Sequence, residues 1–227
     1  MKTSLHEAAE KGDVDRIRLL LLDGIDPDII DEDNNLGWTP LQCAVREGYP
    51  EAVEALLKGG AHPNTQYRRA GTALHIAAAF DRVKEASLLV NSGAGIEERD
   101  FLGFTPLVRA SRCGSIHVVE LLITRGALVN AYSNDGTSCL MWAVLNNYSD
   151  TVQILIERGG MPNWCSNGGA TALHTAALKE SPHLCKFLVE HGANPNITDN
   201  DGRTPKDWAK SNEVIEYLAS VSRNKWI

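Results

Sequence analysis

The sequence predicts an all-α solenoid, in which short helix–turn–helix units joined by β-hairpin loops stack one upon another. Two sets of markers carry this prediction, and each recurs every 33 residues in its own frame. A fixed period of roughly 20–50 residues indicates a repeat architecture whose units share a continuous core. The markers are Leu41, Leu74, Leu107, Leu140 and Leu173 in one frame, and Gly60, Gly93, Gly126, Gly159 and Gly192 in the other.

Each unit begins with a segment that predicts a short helix around the periodic leucine. Threonine or serine stands ahead of the leucine as an N-cap, and proline often follows in the first helical turn. The leucine and the small alanines then face the neighbouring units and allow adjacent helices to pack closely. The seven segments read TSLHEAA, TPLQCAV, TALHIAA, TPLVRAS, SCLMWAV, TALHTAA and TPKDWAK.

A turn and a second helix complete each unit. The turn is marked by residues that tolerate a left-handed backbone, namely Gly12, Gly48, Asp81, Gly114 and Asn147. The second helix carries apolar residues at helical spacing and stops at the periodic glycine, as in the run IHVVELLITRG at 116–126. Because no unit can bury its apolar surface alone, the units must stack.

The composition of the chain bears on which classes of function it can have. The chain has 227 residues, 43% of them apolar, and a net charge of −7, which gives no electrostatic support to general nucleic-acid binding. No run of 18 apolar residues is present, and we expect that the start MKTSLHEAAE is too polar to act as a signal peptide. Five scattered cysteines without a CxxC pair predict free thiols in a reducing compartment. We therefore expect a cytoplasmic protein, with the nucleus as the other location.

The T-P-L-H-x-A signature and the 33-residue length resemble ankyrin repeats. The resemblance covers nearly all of the chain and predicts a single domain, 1–227, of seven units. Three extra residues separate Leu5 from Leu41, and they coincide with the acidic run DGIDPDIIDED at 23–33, so a long acidic hairpin is expected there. This hairpin is either a solvated loop or a steering patch for a basic partner. The units are 1–37 (N-terminal cap repeat), 38–70, 71–103, 104–136, 137–169, 170–202 and 203–227 (shortened C-terminal cap).

Resemblance to this family implies an interaction scaffold or adaptor. Such proteins bind a peptide or protein partner in a concave groove formed by hairpin tips and first helices. Aromatic and arginine side chains dominate binding hot spots, and the arginines here predict a positive strip suited to a ligand with acidic groups beside apolar anchors. The candidate partner-binding residues are Trp38, Arg46, Arg68, Arg69, Phe80, Arg99, Phe101, Leu102, Phe104, Arg109, Arg112, Tyr132, Asn134, Asp135, Trp142, Leu145 and Asn146.

Some of these side chains have an alternative, structural role. Phe104 and Trp38 directly precede a capping threonine, where their rings could cover the adjacent hairpin instead of contacting a partner. Trp142 could pack between first helices as part of the core. Trp208 is predicted to be structural, and Cys113 to be a plain thiol, because the repeat places no base beside it.

The sequence predicts neither a catalytic nor a metal site. His6, His75 and His174 recur in the T-P-L-H segment, where hydrogen bonds to the neighbouring hairpin explain the imidazole. The cysteine and histidine spacings match no zinc pattern, and no phosphate loop, nucleophile elbow or HExxH helix is present. We therefore expect a monomer without enzymatic activity, cofactor or transition metal.

Two further roles follow from the resemblance. Some ankyrin proteins are substrate-recognition subunits of ubiquitin ligases, which usually need an adaptor-binding box that a longer chain would carry beyond SVSRNKWI. Many are substrates of an asparaginyl hydroxylase. The asparagines in question each lie eight residues after a second-helix leucine, and alternatively they only hold the hairpin through side-chain hydrogen bonds. They are Asn130, the best candidate, and Asn64, Asn163 and Asn196.

Overall fold

The structure is a computed structural model, and it describes residues 3–31, 37–66 and 71–223. Within these ranges the regular elements are helices, and one isolated β-bridge joins Tyr132 to Ser138. The helices are α1 (Ser4–Lys11), α2 (Val14–Leu22), α3 (Pro40–Glu47), α4 (Pro50–Lys58), α5 (Ala73–Ala79), α6 (Val83–Asn91), α7 (Pro106–Cys113), α8 (Ile116–Thr124), α9 (Cys139–Leu145), α10 (Ser149–Glu157), α11 (Ala172–Leu178), α12 (Pro182–Glu190), α13 (Pro205–Trp208) and α14 (Asn212–Ser222).

The first helix of a unit starts at the threonine or serine that the sequence predicts as its N-cap. At α3 the Thr39 hydroxyl accepts a hydrogen bond from Gln42 N at 3.3 Å, and the Gln42 side chain accepts one from Thr39 N at 2.9 Å. This reciprocal pair is a capping box. At α5 a histidine replaces the glutamine, since Thr72 N donates to Nδ1 of His75 at 3.2 Å.

The turn between the two helices of a unit has a left-handed residue at each predicted position. The φ angles are 66° at Gly12, 83° at Gly48, 52° at Asp81, 73° at Gly114 and 59° at Asn147. At the first of these positions a side chain would also clash, because a Cβ on Gly12 would lie 2.7 Å from the ring of Tyr49. The prediction of these turns is confirmed.

Glu180 occupies the same turn position in a later unit, with a φ of 52°. The sequence did not indicate this turn, because glutamate seldom adopts a left-handed backbone. Its carboxylate accepts hydrogen bonds from Lys210 N at 2.6 Å and Ser211 N at 2.9 Å, ahead of α14. These bonds, the one from Ser211 first, lower the pKa of Glu180.

The described residues form two compact units of structure. The first comprises the residues up to Ala110 together with His117–Ala127, and the second comprises Ser111–Ile116 and the residues from Leu128 onward. In the first, α1, α3 and α5 pack in sequence as one layer, and α2, α4 and α6 pack as another. In the second, α9, α11 and α13 form a layer. Helix α10 packs on α9, α12 packs on α11, and α14 packs on both α13 and α12.

The periodic leucines form the core of both units. Leu41, Leu74, Leu107 and Leu173 are at most 1% exposed, and Leu140 is 3% exposed. Burying a leucine side chain fully stabilises a protein by about 1.5–3 kcal/mol, so the 33-residue repeat of leucine is a repeat of core contacts. The second helices contribute the fully buried Leu56, Leu89, Leu122, Leu155 and Leu188.

The helices that the structure describes are short. The longest is α14, with 11 residues, and none of them has the length and apolar content to span a bilayer.

Candidate partner-binding surfaces

The recurring histidines hold each hairpin to the helix before it. His75 accepts from Thr72 N through Nδ1, and its Nε2 donates to the carbonyl of Phe104 at 2.8 Å. Burial of the imidazole lowers the pKa of His75, which favours this neutral form. The structural role predicted for the histidines is confirmed. Equivalent bonds join His6 to Trp38 O at 2.9 Å, His174 to Arg203 O at 3.0 Å and, with an amide in place of imidazole, Gln42 to Gly71 O at 2.9 Å.

The hairpin at residues 100–104 is organised by the buried carboxylate of Asp100. Its Oδ1 accepts hydrogen bonds from Leu102 N at 2.9 Å and Phe104 N at 3.0 Å, and its Oδ2 accepts from the guanidinium of Arg109. The backbone closes the loop, since Gly103 N donates to Asp100 O at 2.8 Å and Asp100 N to Phe104 O at 2.9 Å. Because one side chain satisfies the loop backbone, the tip residues need not supply polar groups.

The tip of this hairpin carries two large apolar side chains in an exposed position. Phe101 is 47% exposed and Leu102 is 39% exposed. Arg99 is exposed at the base of the same loop and donates to Gly103 O at 3.1 Å. Phe80, at the end of α5, is 51% exposed. These four residues lie at the surface, as their proposed role in partner binding requires.

Two aromatic residues expected at the binding surface are buried instead. Phe104 is 4% exposed and Trp38 is 8% exposed, so the expectation that their rings face a partner is wrong. An arginine of the following helix covers each ring: Cζ of Arg109 lies 4.8 Å from the centroid of Phe104, and Cζ of Arg46 lies 4.7 Å from the Trp38 ring. Cation–π stacking and burial both make these aromatics part of the fold.

The positive strip predicted from Arg68, Arg69, Arg99, Arg109 and Arg112 is neutralised within the protein at Arg109, and Arg46, outside the strip, is neutralised as well. Arg109 forms an ion pair with Asp100 and its side chain is only 18% exposed. Arg46 is paired with Glu47 and lies 3.7 Å from a carboxylate oxygen of Glu10. Arg68 and Arg69 lie outside the described residues. The strip therefore contributes less positive charge than the sequence suggests.

The hairpin at residues 133–137 has a different anchor. The hydroxyl of Ser133 donates to Asp135 Oδ1 and accepts from the indole N–H of Trp142 at 3.3 Å. Asp135 Oδ1 also accepts from Thr137 N at 3.1 Å. Desolvation raises the pKa of Asp135, but the hydrogen bonds from Ser133 and Thr137 outweigh it, and the pKa is lowered. Asn134 and Asp135 are both exposed, so the tip of this hairpin is polar.

Around this second hairpin, the predicted residues form one connected group. Trp142 is half-buried, and Cζ of Arg112 lies 5.3 Å from its ring, so the indole bridges the hairpin to the end of α7. Asn146 donates to Arg112 O at 3.2 Å and to Trp142 O at 3.0 Å. Arg112 and Asn146 are exposed and Leu145 is half-buried. Trp142 thus combines the structural and the surface role that the sequence left open.

One aromatic contact at this surface was missed by the sequence analysis. Tyr132, which is 40% exposed, stacks on Trp164 with ring centroids 5.0 Å apart. The indole N–H of Trp164 donates to Gly136 O at 2.9 Å, which places the ring beside the 133–137 hairpin. The available signal was the position of Trp164, directly after the Asn163 that follows a second helix, in a stretch expected to contain a hairpin.

One contact recurs in three of the repeats: a side-chain N–H group donates a hydrogen bond to the residue at the base of the hairpin, nine positions earlier in the sequence. Arg109 donates to Asp100, Trp142 to Ser133, and Trp208 to Asp199 at 2.8 Å. Desolvation raises the pKa of Asp199, but hydrogen bonds from Arg203 and Trp208 outweigh it and lower the pKa to about 2. The structural role expected of Trp208 agrees with this contact.

The four candidate asparagines join successive hairpins. Asn130 Oδ1 accepts from Met161 N at 2.8 Å, and its Nδ2 donates to Gly159 O at 3.2 Å. This pattern supports the alternative in which asparagine holds the hairpin. Asn64 makes the same pair of bonds with Gly95 N and Gly93 O, Asn163 with Asn194 N and Gly192 O, and Asn196 donates to Ser222 O at 3.3 Å.

At the N-terminal insertion, the backbone bond that closes the loop spans three more residues than its counterpart in the 100–104 hairpin. Asp31 N donates to Trp38 O at 3.1 Å, which closes a loop over seven residues, whereas the equivalent bond from Asp100 to Phe104 spans four. Residues 32–36 of this acidic hairpin lie outside the described part of the chain. The carboxylate of Asp28 already has a partner within the protein, because it accepts a hydrogen bond from His62 N at 3.0 Å.

The five cysteines are free thiols, and Cys113 is half-buried. Burial raises the pKa of Cys185 to about 12, so this thiol stays protonated. In the part of the chain that the structure describes, histidine, cysteine and carboxylate side chains do not gather in a group of three that could hold a metal ion.

Comparison with known proteins agrees with this architecture. A family model described as "Ankyrin repeats (3 copies)" matches residues 1–67, 64–135 and 140–226. The crystal structure of the ankyrin repeat domain of Bcl-3, a member of the IkappaB protein family, superposes with a TM-score of 0.84 and 32% identity, covering 96% of this chain and 98% of that one. The human ASB11 ankyrin repeat domain gives a TM-score of 0.85 over 98% of this chain and 99% of that one; at 22% identity it shows the fold alone.

Curated relatives align over part of their length. B-cell lymphoma 3 protein homolog of Mus musculus is 33% identical over 64% of this chain and 34% of its own length. Ankyrin repeat and SOCS box protein 11 of Mus musculus is 33% identical over 47% of this chain and 32% of its own. Glycerophosphocholine phosphodiesterase gde1 of Schizosaccharomyces pombe is 38% identical over 48% of this chain and 10% of its own. The chain thus matches a third or less of the length of most of these relatives.

Proposed function

The chain belongs to the ankyrin-repeat family, and from that premise we propose that it is a scaffold or adaptor that binds a peptide or protein partner through its hairpin tips and first helices. Ankyrin repeats generally mediate protein–protein interaction. The observation that carries the proposal is the 100–104 hairpin, which presents Phe101 and Leu102 to solvent on a loop fixed by Asp100. A preorganised loop loses little conformational entropy on binding, and large apolar side chains gain the most from being buried in an interface.

The chemistry of the partner follows from what remains exposed. Phe101, Leu102 and Phe80 offer apolar contacts, and the exposed Arg99 of the same compact unit places a guanidinium group where a carboxylate of the partner can meet it. Since Arg46 and Arg109 are already paired with carboxylates, apolar anchors dominate and acidic groups are secondary. The partner is therefore a protein segment with aromatic or aliphatic anchors and one or two neighbouring acidic residues.

We propose further that the protein is not an enzyme, needs no cofactor and acts as a monomer. The histidines that would be the natural catalytic candidates are bonded to hairpin carbonyls, and the Cys185 thiol is held protonated by burial. The free thiols, three of them buried, fit a cytoplasmic location, with the nucleus as the alternative.

A second candidate function is substrate recognition within a ubiquitin ligase. The similarity to a relative named for its SOCS box supports it, since that relative aligns with this chain at 33% identity. In this role the same exposed surface would contact the substrate. Co-purification of ligase subunits with the full-length protein would support the role, and their absence from a purified, substrate-bound complex would contradict it.

The third candidate is modification by an asparaginyl hydroxylase, with Asn130 as the preferred position. Asn130 is half-buried and its amide is engaged with Gly159 and Met161, so the structural role exists whether or not the residue is modified. Peptide mapping by mass spectrometry of protein from animal cells should show a mass increase of one oxygen on the Asn130 peptide. Unmodified asparagine at all four positions would eliminate this candidate.

The scaffold function is tested with peptides selected from a phage-displayed random library on the wild-type protein. We expect the selected peptides to lose about tenfold or more in affinity, or about 1.4 kcal/mol, when Phe101→Asn and Leu102→Asp are introduced together. The matched control is Leu128→Asp, which alters a side chain that is 64% exposed and outside the proposed surface. Equal affinity for the wild-type protein and the double variant would refute the role of this hairpin.

A further inference from the structure

The second helix of the first repeat ends differently from the second helices that follow it. Leu22 is the last residue of α2, and its side chain is 84% exposed. One turn earlier, Leu19 is 56% exposed. A single exposed leucine is ordinary, but two of them one helical turn apart form an apolar stripe. The last residues of the five following second helices are polar: Lys58, Asn91, Thr124, Glu157 and Glu190.

Leu22 borders a groove between α2 and α4. The groove has a volume of about 460 Å³, and across it Leu21 and Leu22 of α2 face Ala55 of α4 and Gly59, which directly follows α4. A Cβ at Gly59 would lie 2.4 Å from Cδ1 of Leu21, so the glycine allows the Leu21 side chain to pack closely against the end of α4. The groove on the other side of α4, toward α6, has a volume of about 200 Å³.

The rim of the α2/α4 groove carries more carboxylates than basic groups, namely Asp15, Asp23, Glu51 and Glu54 against Arg18 and Lys58. On the rim of the groove Lys58 is paired with Glu54 at 2.7 Å and Arg18 lies 3.9 Å from Asp15. The basic groups at the groove are thus matched by carboxylates of the protein itself. Exposed Glu51 lines the groove, and exposed Asp23 directly follows Leu22.

We propose that the α2/α4 groove binds a basic amphipathic helix of a partner protein. Its leucine-like residues, spaced three or four apart, would contact Leu21 and Leu22, and its lysines or arginines would face Glu51 and Asp23. A helix is the appropriate form, because the backbone groups of α2 and α4 are bonded within their own helices and offer no edge to an extended strand. The same negative charge disfavours an anionic lipid surface or a nucleic acid. This surface is separate from the hairpin tips and independent of the function proposed for them.

The test uses a synthetic helical peptide of leucine and lysine in amphipathic spacing, fluorescently labelled, at about 0.15 M salt, where long-range charge effects are screened. We expect it to bind the wild-type protein and to bind about tenfold more weakly to Leu22→Lys, which installs the residue found at the end of α4. The matched control is Leu178→Lys, which makes the same change at a side chain that is 46% exposed elsewhere, and should leave affinity unchanged. A leucine–glutamate peptide of the same pattern should not bind.

The melting temperature of Leu22→Lys should equal that of the wild-type protein, because the replaced side chain is exposed. Equal weakening by Leu22→Lys and Leu178→Lys would show that only net charge matters and would overturn the proposal. So would amide shifts in an NMR titration that fall outside α2 and α4. A concentration-dependent dimer that Leu22→Lys abolishes would assign the groove to a second copy of this chain, and would likewise overturn it.

Discussion

The hairpins at 100–104 and 133–137 stand 33 residues apart in the sequence, yet a carboxylate fixes each loop from a different place. In the first, Asp100 at the base accepts from Phe104 N; in the second, Asp135 at the tip accepts from Thr137 N, which is the equivalent backbone donor. Ser133 stands at the position of the basal aspartate, and its side chain is too short to accept the equivalent hydrogen bond from Thr137 N. A basal anchor leaves the tip available for apolar residues, whereas an anchor at the tip makes the tip polar.

The largest expected effect comes from removing the basal side chain of each hairpin, which is an anchoring carboxylate in the first and a hydroxyl in the second. Asp100→Ala leaves the guanidinium of Arg109, 18% exposed, without its buried counterion and two loop N–H groups without an acceptor. Breaking a buried ion pair in this way should cost about 3–5 kcal/mol of unfolding free energy. Ser133→Ala removes a neutral hydroxyl and should cost about 1 kcal/mol. Urea unfolding of both variants measures the difference, and equal costs would contradict the distinction.

The next effect concerns the residue that closes each loop. Phe104 is 4% exposed beneath Arg109, so Phe104→Ala should cost about 3 kcal/mol through loss of burial and the cavity that remains. Its counterpart Thr137 is half-buried, and Thr137→Ala should cost less than about 1 kcal/mol. Thermal melts of the two variants, with Leu107→Ala as the core reference, decide this. If Phe104→Ala has the same melting temperature as the wild-type protein, the Phe104 ring does not contribute to the stability of the core.

These two hairpins also show how far the sequence could predict the structure. The leucine and glycine periods determine which residues are core and where turns occur, because those roles depend on local backbone and on identical neighbours, and Asp81 and Asn147 were placed correctly for that reason. The burial of Phe104 and Trp38 depends on an arginine of the following helix folding over the ring. The stacking of Tyr132 on Trp164 depends on two rings contributed by successive hairpins. Such contacts between non-identical side chains carry no periodic signal.

A smaller effect is expected from exchanging the two tips. Grafting the apolar tip onto the second hairpin, with Asn134→Phe and Asp135→Leu, removes the acceptor of Thr137 N at an exposed position and should cost about 0.5–1.5 kcal/mol. The reverse exchange, Phe101→Asn with Leu102→Asp, should change stability by less than about 0.5 kcal/mol, since Asp100 still anchors the loop. Adding Ser133→Asp to the graft should restore much of the loss by supplying a basal carboxylate. Failure of this rescue in urea unfolding would show that the anchor alone does not determine the tip.

The smallest expected effect is a difference between the two hairpins in how their stability depends on pH. Burial lowers the pKa of His75, which donates to Phe104 O, so the folded state resists protonation while the unfolded state does not. Stability from this contact is therefore complete above the ordinary histidine pKa of about 6.5 and falls as the pH drops below it, by at most about 1.4 kcal/mol one pH unit lower. The pKa of Asp135 is also lowered, but its contribution is lost only as the pH falls below the ordinary aspartate pKa of about 4. Between pH 7 and 5.5, the amide protection factor, which is corrected for the intrinsic pH dependence of hydrogen exchange, should fall at Phe104 and not at Thr137. His75→Gln, which copies Gln42 of an earlier repeat, should abolish this fall at Phe104. If both amides respond alike in the wild-type protein, acid loosens the fold as a whole and His75 is not the cause.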